Sequence, residues 1–447
     1  MNPVVIVGAG IAGCVTAREL ARQGREVILV EKKPFVGGLA ATYRYGDYGF
    51  DIGPHRFFTR DERVLYFIKD ILGNDFYTIP RHSEVFFLGK YYSWPLKPSL
   101  LLNLPIGTAM KSAWDLILMG MRKDAGKNET FEDYILTHYG PSLYNIFFKE
   151  YTEKFLGCPA NSIHRRWAKE GMRRTIIDER IASRNLFDIL KLFFNFRALK
   201  TEFIYPAAGI DAFCKRLAAD IIEYGGRILT DTRIEKIKTV GNAIDKIYVG
   251  EKLVEPEYLI WSGSLDSLGR LLGIPPGGIE YLSTVIYNIE LDSAPKRDFQ
   301  WCYYGSKKII FSRVSAPPAF SKRLVPKDKG SLTAEVTCRA GDPILKEPRQ
   351  YIKDVERDLI RTRLLEKASD IRAIHAEIVE EAYPIYKIGY EEELKKTMAR
   401  LDSFENLRMA GRTGLYWYNN MDDSVANGLA LSDELALKSS EEIFASK

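Results

Sequence analysis

An α/β fold is predicted for this chain of 447 residues, on three observations. Near the start, the apolar run Val4-Val5-Ile6-Val7 leads straight into Gly8-Ala9-Gly10-Ile11-Ala12-Gly13 and then into a helical pattern. A middle stretch reads as helices, and the residues from Thr284 to Val336 alternate as an antiparallel sheet does. Near the end, Leu407-Arg408-Met409-Ala410-Gly411-Arg412 again runs a strand into a glycine ahead of a helix. The expected architecture is a Rossmann-type domain entered three times, over 1–75, 201–280 and 401–447. Between the visits lie strands of a substrate sheet (76–99), a helical insertion (100–200) and an antiparallel β-sheet substrate domain (281–400).

Each element has a physical reason. Val4 to Val7 is continuously apolar and β-branched, as a parallel strand buried on both faces should be. In the loop that follows, Gly8 makes the tight turn, Gly10 lets the backbone approach a pyrophosphate, and Gly13 lets helix pack on strand. The helix N-terminus, where Ala12 lies, attracts phosphate charge. The helix reads as Cys14 to Gln23, Gly24 ends it, and Val27 to Val30 is the second strand. That strand ends at Glu31, whose carboxylate would accept hydrogen bonds from a ribose diol, and Lys32 follows. An acid at this position separates the motif from a chance glycine turn.

Further along, Gly37-Gly38-Leu39 is a second glycine pair, then a small hairpin leads to Phe50-Asp51-Ile52-Gly53-Pro54-His55. Phe131 to Tyr139 and Pro141 to Leu156 read as helices, the first capped by Thr130 with Asp133 and ended by Gly140. Arg180 to Arg197 supplies another helix. Asp211 to Tyr224 is a helix, Arg227 to Ile237 a strand that brings Ile234 to the nucleotide, and Tyr258 to Trp261 a buried strand. Pro343 to Ser369 reads as helical, and Val425 to Lys438 as the last helix.

Composition narrows the function. Lys and Arg number 64 against 59 Asp and Glu, a net charge of +5, which suits small anions or a membrane surface and argues against nucleic acid as partner. Five widely spaced cysteines form no CxxC pair and read as free thiols of a reducing, cytoplasmic compartment. The first strand begins almost at Met1, so no signal peptide is expected. Leu100 to Gly120 is interrupted by Asn103, Pro105, Lys111 and Asp115, so no transmembrane span is expected, although peripheral docking to a membrane stays open. The histidines share no ligand spacing, and no metal is expected.

The Glu31, Gly37-Gly38 and Asp51-x-Gly53-Pro54-His55 series resembles the flavin-dependent oxidase, desaturase and mutase superfamily. More closely, six dispersed motifs resemble the UDP-galactopyranose mutase family. They are Gly53-Pro54-His55, Tyr91-Tyr92 with Trp94-Pro95-Leu96, Lys149 to Cys158, Phe311-Ser312-Arg313-Val314, Tyr383-Pro384-Ile385, and Gly411 to Asp422. The resemblance implies FAD as cofactor, held by Gly8, Gly10, Ala12, Gly13, Glu31, Lys32, Gly37, Gly38, Leu39, Gly53, Pro54, His55, Ile234, Gly411, Arg412, Met421, Asp422 and Ser424. It places His55 beside the isoalloxazine ring, and the start of the helix Val425 to Lys438 against the pyrimidine edge. It implies that Arg313, with Tyr383 and Tyr418, clamps a substrate diphosphate. A second diphosphate arginine falls among Arg165, Arg166, Arg173 and Arg174, best at Arg173 or Arg174. The chain departs from the family pattern at Leu156, where a tryptophan is usual, which removes a flat surface near the substrate.

The implied activity is a pyranose/furanose interconversion of a nucleotide diphosphate sugar through a flavin N5–sugar adduct. It needs reduced FAD and a reductant such as NAD(P)H. The alternative is a redox flavoenzyme of the amine oxidase, protoporphyrinogen oxidase or desaturase type with an apolar substrate. Plainer readings of single residues stand beside these: His55 as a loop-capping histidine, Arg313 as a solvated strand residue, and Tyr383 and Tyr418 as core aromatics.

Overall fold

The computed structural model describes residues 2–94, 106–120, 129–175, 202–274 and 277–445. The first glycine motif sits at the centre of a five-stranded parallel sheet. Its order is Leu407–Met409, Tyr258–Trp261, Val4–Val7, Val27–Val30, Arg227–Leu229. Side chains alternate between its faces with the strand period of two. Val4, Ile6, Val27, Leu29 and Ile260 pack with residues of the helices Ile11–Arg22, Asp211–Glu223 and Met421–Ala445. Val5, Ile28, Val30, Leu259 and Trp261 pack instead with Ile234, Ile237, Ile244, Ile247 and Val249 of a three-stranded antiparallel sheet. Both faces are therefore covered, which explains why these strands read as unbroken apolar runs.

A seven-stranded sheet carries the other half of the molecule. Its order is Ile371–Pro384, Tyr281–Leu291, Gly330–Cys338, Arg313–Ser315, Trp301–Tyr304, Ser83–Phe87, Lys90–Trp94. All neighbours are antiparallel except Trp301–Tyr304 with Ser83–Phe87. Asp51, at the end of the hairpin Thr42–Tyr45/Tyr48–Asp51, ties this region to the nucleotide half. Its buried carboxylate accepts from Thr42 Oγ1 (2.7 Å), Tyr205 Oη and the backbone N–H of Ile210 (3.2 Å).

The helical region keeps its expected break. Phe131–Leu143 is kinked at Gly140 (φ 77°), a π-helical turn follows over Tyr144–Phe148, and Lys149–Leu156 completes the run. Thr130 Oγ1 accepts from the Asp133 N–H at 3.0 Å, the expected N-cap. The helix expected over Arg180–Arg197, like Pro95 and Leu96, lies outside the described residues.

Three expectations are corrected. Arg227 to Ile237 is two strands in different sheets, because Asp231 turns the chain at φ 50°. At that turn the Asp231 and Thr232 N–H groups bond to Lys33 and Glu31 carbonyls at 2.9 Å. Pro343 to Ser369 is helical only in pieces, ending its α-helical part with Ile352–Arg361. The last helix starts at Met421, a turn before Val425, and Asp423 accepts from the Asn420 N–H (2.7 Å) at its mouth.

Candidate active site

A cleft of about 900 Å³ opens at the carboxyl ends of the parallel strands, where α/β sheets bind nucleotides. Its floor is the glycine loop. A Cβ on Gly13 would lie 2.0 Å from the Gly8 carbonyl oxygen, so that glycine is required for helix Ile11–Arg22 to start where it does. Gly10, its N-cap, has no atom within 4 Å of such a Cβ and makes no side-chain cap bond. The exposed N–H groups of a helix start thus face an open space, the arrangement that holds a pyrophosphate. Gly37 donates to the Ala9 carbonyl at 2.7 Å, and a Cβ on Gly38 would sit 3.0 Å from the Gly10 Cα, so the second glycine pair closes over the first.

Glu31 takes the Ala9 N–H on one oxygen (2.8 Å) and the Lys33 N–H on the other (2.9 Å). The carboxylate is thereby fixed on the cleft wall with lone pairs to spare for a diol. Lys32, Lys33, Leu39, Ile234, Gly411, Arg412, Met421 and Ser424 line the same cleft. The residues present fit a dinucleotide: a ribose acceptor at Glu31, two glycine pairs for a diphosphate, and a second helix start at Met421 for the far end.

At that far end stands His55. Its Nδ1 is buried without a hydrogen-bond partner among the described residues. Burial, followed by the nearby charges of Arg412, Arg313 and Arg56, pushes its pKa down to about 3, so the imidazole is neutral. Arg412 reaches from the cleft wall towards two phenol rings, its guanidinium 5.4 Å from the centroids of both Tyr383 and Tyr418. Its hydrogen bonds go to the Asn419 carbonyl (2.5 Å), Asn419 Oδ1 (3.4 Å) and the Ala382 carbonyl (3.4 Å). Tyr383 and Tyr418 meet edge to face at 5.5 Å, and burial raises the Tyr418 hydroxyl to about 12, so it stays a donor.

Arg313 is placed in this group, paired with a carboxylate. Its Nε and Nη2 form a two-pronged pair with Glu335 at 2.6 and 2.5 Å, the residue directly across the strand pair. Nη2 also donates to the Tyr383 hydroxyl at 3.1 Å. The fork that would clasp a phosphate is closed on a carboxylate, and only the Nη1 edge carries no hydrogen bond among the described residues. Gly53 packs against this pair. A Cβ there (φ 77°) would lie 3.0 Å from Arg313 Nη2 and 3.1 Å from each Glu335 oxygen. Gly53, Pro54 and Asp422 are not on the cleft wall.

Trp167 stacks on Tyr418 at 5.0 Å and 15°, and packs on Phe155 at 5.7 Å, while Leu156 is wholly buried. The helix bearing Trp167, Arg166–Thr175, contains Arg173 and Arg174, whose side chains lie outside the described residues. Arg166 turns to Tyr390 (3.3 Å) and Glu170 (3.5 Å).

Several site residues escaped the sequence reading. Asn419, Ser262 and Thr232 line the cleft. Tyr151 and Tyr303 join the phenol group, ring to ring at 5.8 Å, and the charges of Arg313, Tyr383 and Tyr418 reach Tyr151. Tyr151 lay inside the Lys149 to Cys158 motif and could have been found there. Lys154, in the same motif, donates to the carbonyls of Tyr304 (3.0 Å), Ser306 (3.1 Å) and Phe311 (2.6 Å), holding the loop that carries Arg313.

Comparison with known proteins first gives a class. Residues 6–71 match the model of the NAD(P)-binding Rossmann-like domain. Particular relatives follow. The chain is 22% identical to a probable UDP-galactopyranose mutase of Klebsiella pneumoniae, over 96% of this chain and 94% of that one. It is 29% identical to dTDP-fucopyranose mutase of Escherichia coli over a segment, 36% of this chain and 44% of the relative. Its fold is that of a crystal structure of reduced UDP-galactopyranose mutase, with a TM-score of 0.84 at 21% identity, covering 98% and 96% of the two chains.

Proposed function

We propose that this protein is an FAD-dependent nucleotide-sugar mutase, interconverting the pyranose and furanose forms of a nucleotide diphosphate sugar without net redox change. The observation that carries this reading is the far end of the cleft. There His55 and Arg412 line the cleft, and Arg412 leads to a cluster of phenols with a cation, Tyr383, Tyr418, Arg313, Tyr303 and Tyr151, where an amine or porphyrinogen oxidase would need an apolar slot. The similarity to mutases along the chain supports it.

FAD, bound in its reduced form, would supply the nucleophile for the sugar's anomeric carbon. The chain's own groups do the rest. Gly8, Gly10, Gly37 and Gly38 shape the diphosphate cradle, and Glu31 takes the ribose. The neutral His55 offers a hydrogen bond at the ring end. Tyr418 remains a protonated donor for the departing diphosphate, with the Tyr383 hydroxyl beside it, and Arg412 with the Nη1 edge of Arg313 stabilises its charge. Arg173 or Arg174 would complete the clamp, and NAD(P)H is the proposed reductant.

The test is a pair of titrations on purified yellow protein. Oxidised and dithionite-reduced samples receive UDP-sugars while flavin absorbance is followed, and products of the reduced sample are separated by chromatography. Tighter binding to the reduced form and a furanose product are expected. Colourless protein that takes up no FAD would sink the cofactor assignment. Absence of binding in both states, with rapid flavin reduction by an amine or porphyrinogen, would replace the mutase by an oxidase.

A further inference from the structure

Arg56 follows His55 directly, so the turn that puts His55 on the cleft wall also fixes where Arg56 begins. Its guanidinium lies over two aromatic rings, 4.4 Å from the centroid of Trp301 and 4.9 Å from that of Phe203. Nη1 donates to the Pro54 carbonyl at 2.9 Å. Stacking of this kind fixes the plane of a guanidinium while leaving its in-plane N–H groups for a partner. Arg81 reaches the same indole from another direction, 5.3 Å from the centroid, with Nε on Ser83 Oγ at 2.9 Å.

What distinguishes Arg56 is the missing counter-charge. The deep-set arginines Arg18, Arg25 and Arg313 each hold a carboxylate: Glu19 and Asp220, Glu257, and Glu335 respectively. Arg56 has no carboxylate within ion-pair distance among the described residues, and Glu335 is committed to Arg313. Around Arg56 stand the phenols Tyr303 and Tyr418, the cation of Arg313 and the carboxylate of Asp422. A buried cation without a partner is costly unless something else supplies the negative charge. Arg56 is half-buried in spite of its depth, and its neighbour along the chain, His55, lines the cleft.

We propose that Arg56, held on the Trp301 face, is a substrate-binding residue that receives an oxyanion beside the His55 end of the cleft. Under the mutase reading, on which this rests, the oxyanion belongs to the nucleotide sugar. It is either an oxygen of the diphosphate or a carboxylate on the sugar, as in a nucleoside diphosphate uronic acid. Both present the same planar or tetrahedral pair of oxygens to a guanidinium edge.

The experiment uses the flavin-loaded protein, wild type, Arg56→Met and Arg56→Gln. Inorganic phosphate, UDP-galactose and UDP-glucuronate are titrated separately, with flavin absorbance and thermal midpoint as readouts. Removing the cation is expected to weaken oxyanion binding about ten- to a hundredfold. The ligand-free midpoint of Arg56→Met should stay level or rise, since an uncompensated charge has been removed. Equal losses for both UDP-sugars assign the oxyanion to the diphosphate, and a loss confined to UDP-glucuronate assigns it to the sugar carboxylate. If phosphate perturbs the wild type and not the variants, while no nucleotide sugar binds either, the subsite stands and the mutase reading falls. Unchanged affinity for all three probes in both variants overturns the proposal, as does a lowered ligand-free midpoint in Arg56→Gln with binding intact.

Discussion

The Arg313–Glu335 pair is almost wholly buried, with side-chain exposures of 14% and 5%, and removing one half differs from removing both. Arg313→Ala strands a carboxylate, so a loss of about 3–5 kcal/mol is expected in urea unfolding, not the intact fold that a purely substrate-binding arginine would leave. Arg313→Met with Glu335→Leu should recover most of that stability, yet still weaken substrate binding, because Tyr383 loses the donor that orients its hydroxyl. If Arg313→Ala unfolds like wild type, the pair is not holding this region together. His55 gives a second expectation. Its folded pKa is about 3 against an ordinary value of 6.5, so as pH falls the unfolded chain takes the proton first. The stability associated with the neutral imidazole is therefore present above pH 6.5 and drains away as pH drops towards 3. Flavin-free wild type should lose midpoint over that window more steeply than His55→Asn, and parallel curves would refute the shift. At this scale the sequence was readable where chemistry follows local spacing, as with Gly8, Gly10, Gly13 and Glu31. It was unreadable where strand register decides. Nothing local tells that Glu335 faces Arg313, or that Trp167 stacks on Tyr418.

Among the elements, the helix Met421–Ala445 bears most directly on the cofactor cleft. Its Met421 and Ser424 line the cleft, while Gly428, one helical turn beyond Ser424, touches the first helix. A Cβ on Gly428 would lie 2.8 Å from Val15 Cβ and 2.9 Å from the Ala12 carbonyl, so the two helices meet backbone to backbone. Gly428→Val forces them apart. Overpacking costs about 1–3 kcal/mol, and the displaced helix start should also shed flavin. The measurements are thermal midpoint and the flavin-to-protein absorbance ratio of the purified variant; full flavin occupancy would show that the contact does not govern the cleft. The helix itself was legible from its periodicity, but its first turn was not. Met421 to Ser424 look like loop residues in sequence, and they become helix because Asp423 caps the Asn420 N–H and Asn419 reaches Ser424 Oγ at 3.1 Å. The strand expected through Arg227 to Ile237 failed for the converse reason. The polar run Thr230-Asp231-Thr232-Arg233 interrupts it, and the bonds from 231 and 232 to the Glu31 loop fix the turn there.

For the molecule as a whole, the parallel sheet gathers strands from opposite ends of the chain. Tyr258–Trp261 lies between Val4–Val7 and Leu407–Met409, so without the last strand its outer edge is bare. A chain stopped at residue 400 should therefore show no cooperative thermal transition and bind no FAD, although every residue of the first glycine motif is present. A truncated protein that stays yellow would show that the first part of the domain is self-sufficient. The same arrangement sets a clock on synthesis. The strand pair Val4–Val7 and Val27–Val30 leaves the ribosome early, but its sheet is completed only when residue 409 has emerged. At about 5–20 residues per second, that gap amounts to roughly 20–75 s. Throughout it the nascent chain carries apolar strands with unpaired edges and a nucleotide loop that has no far wall. Loading of the cofactor is consequently a late event, after residue 409 has emerged, and the interval before it is when the polypeptide most needs a chaperone.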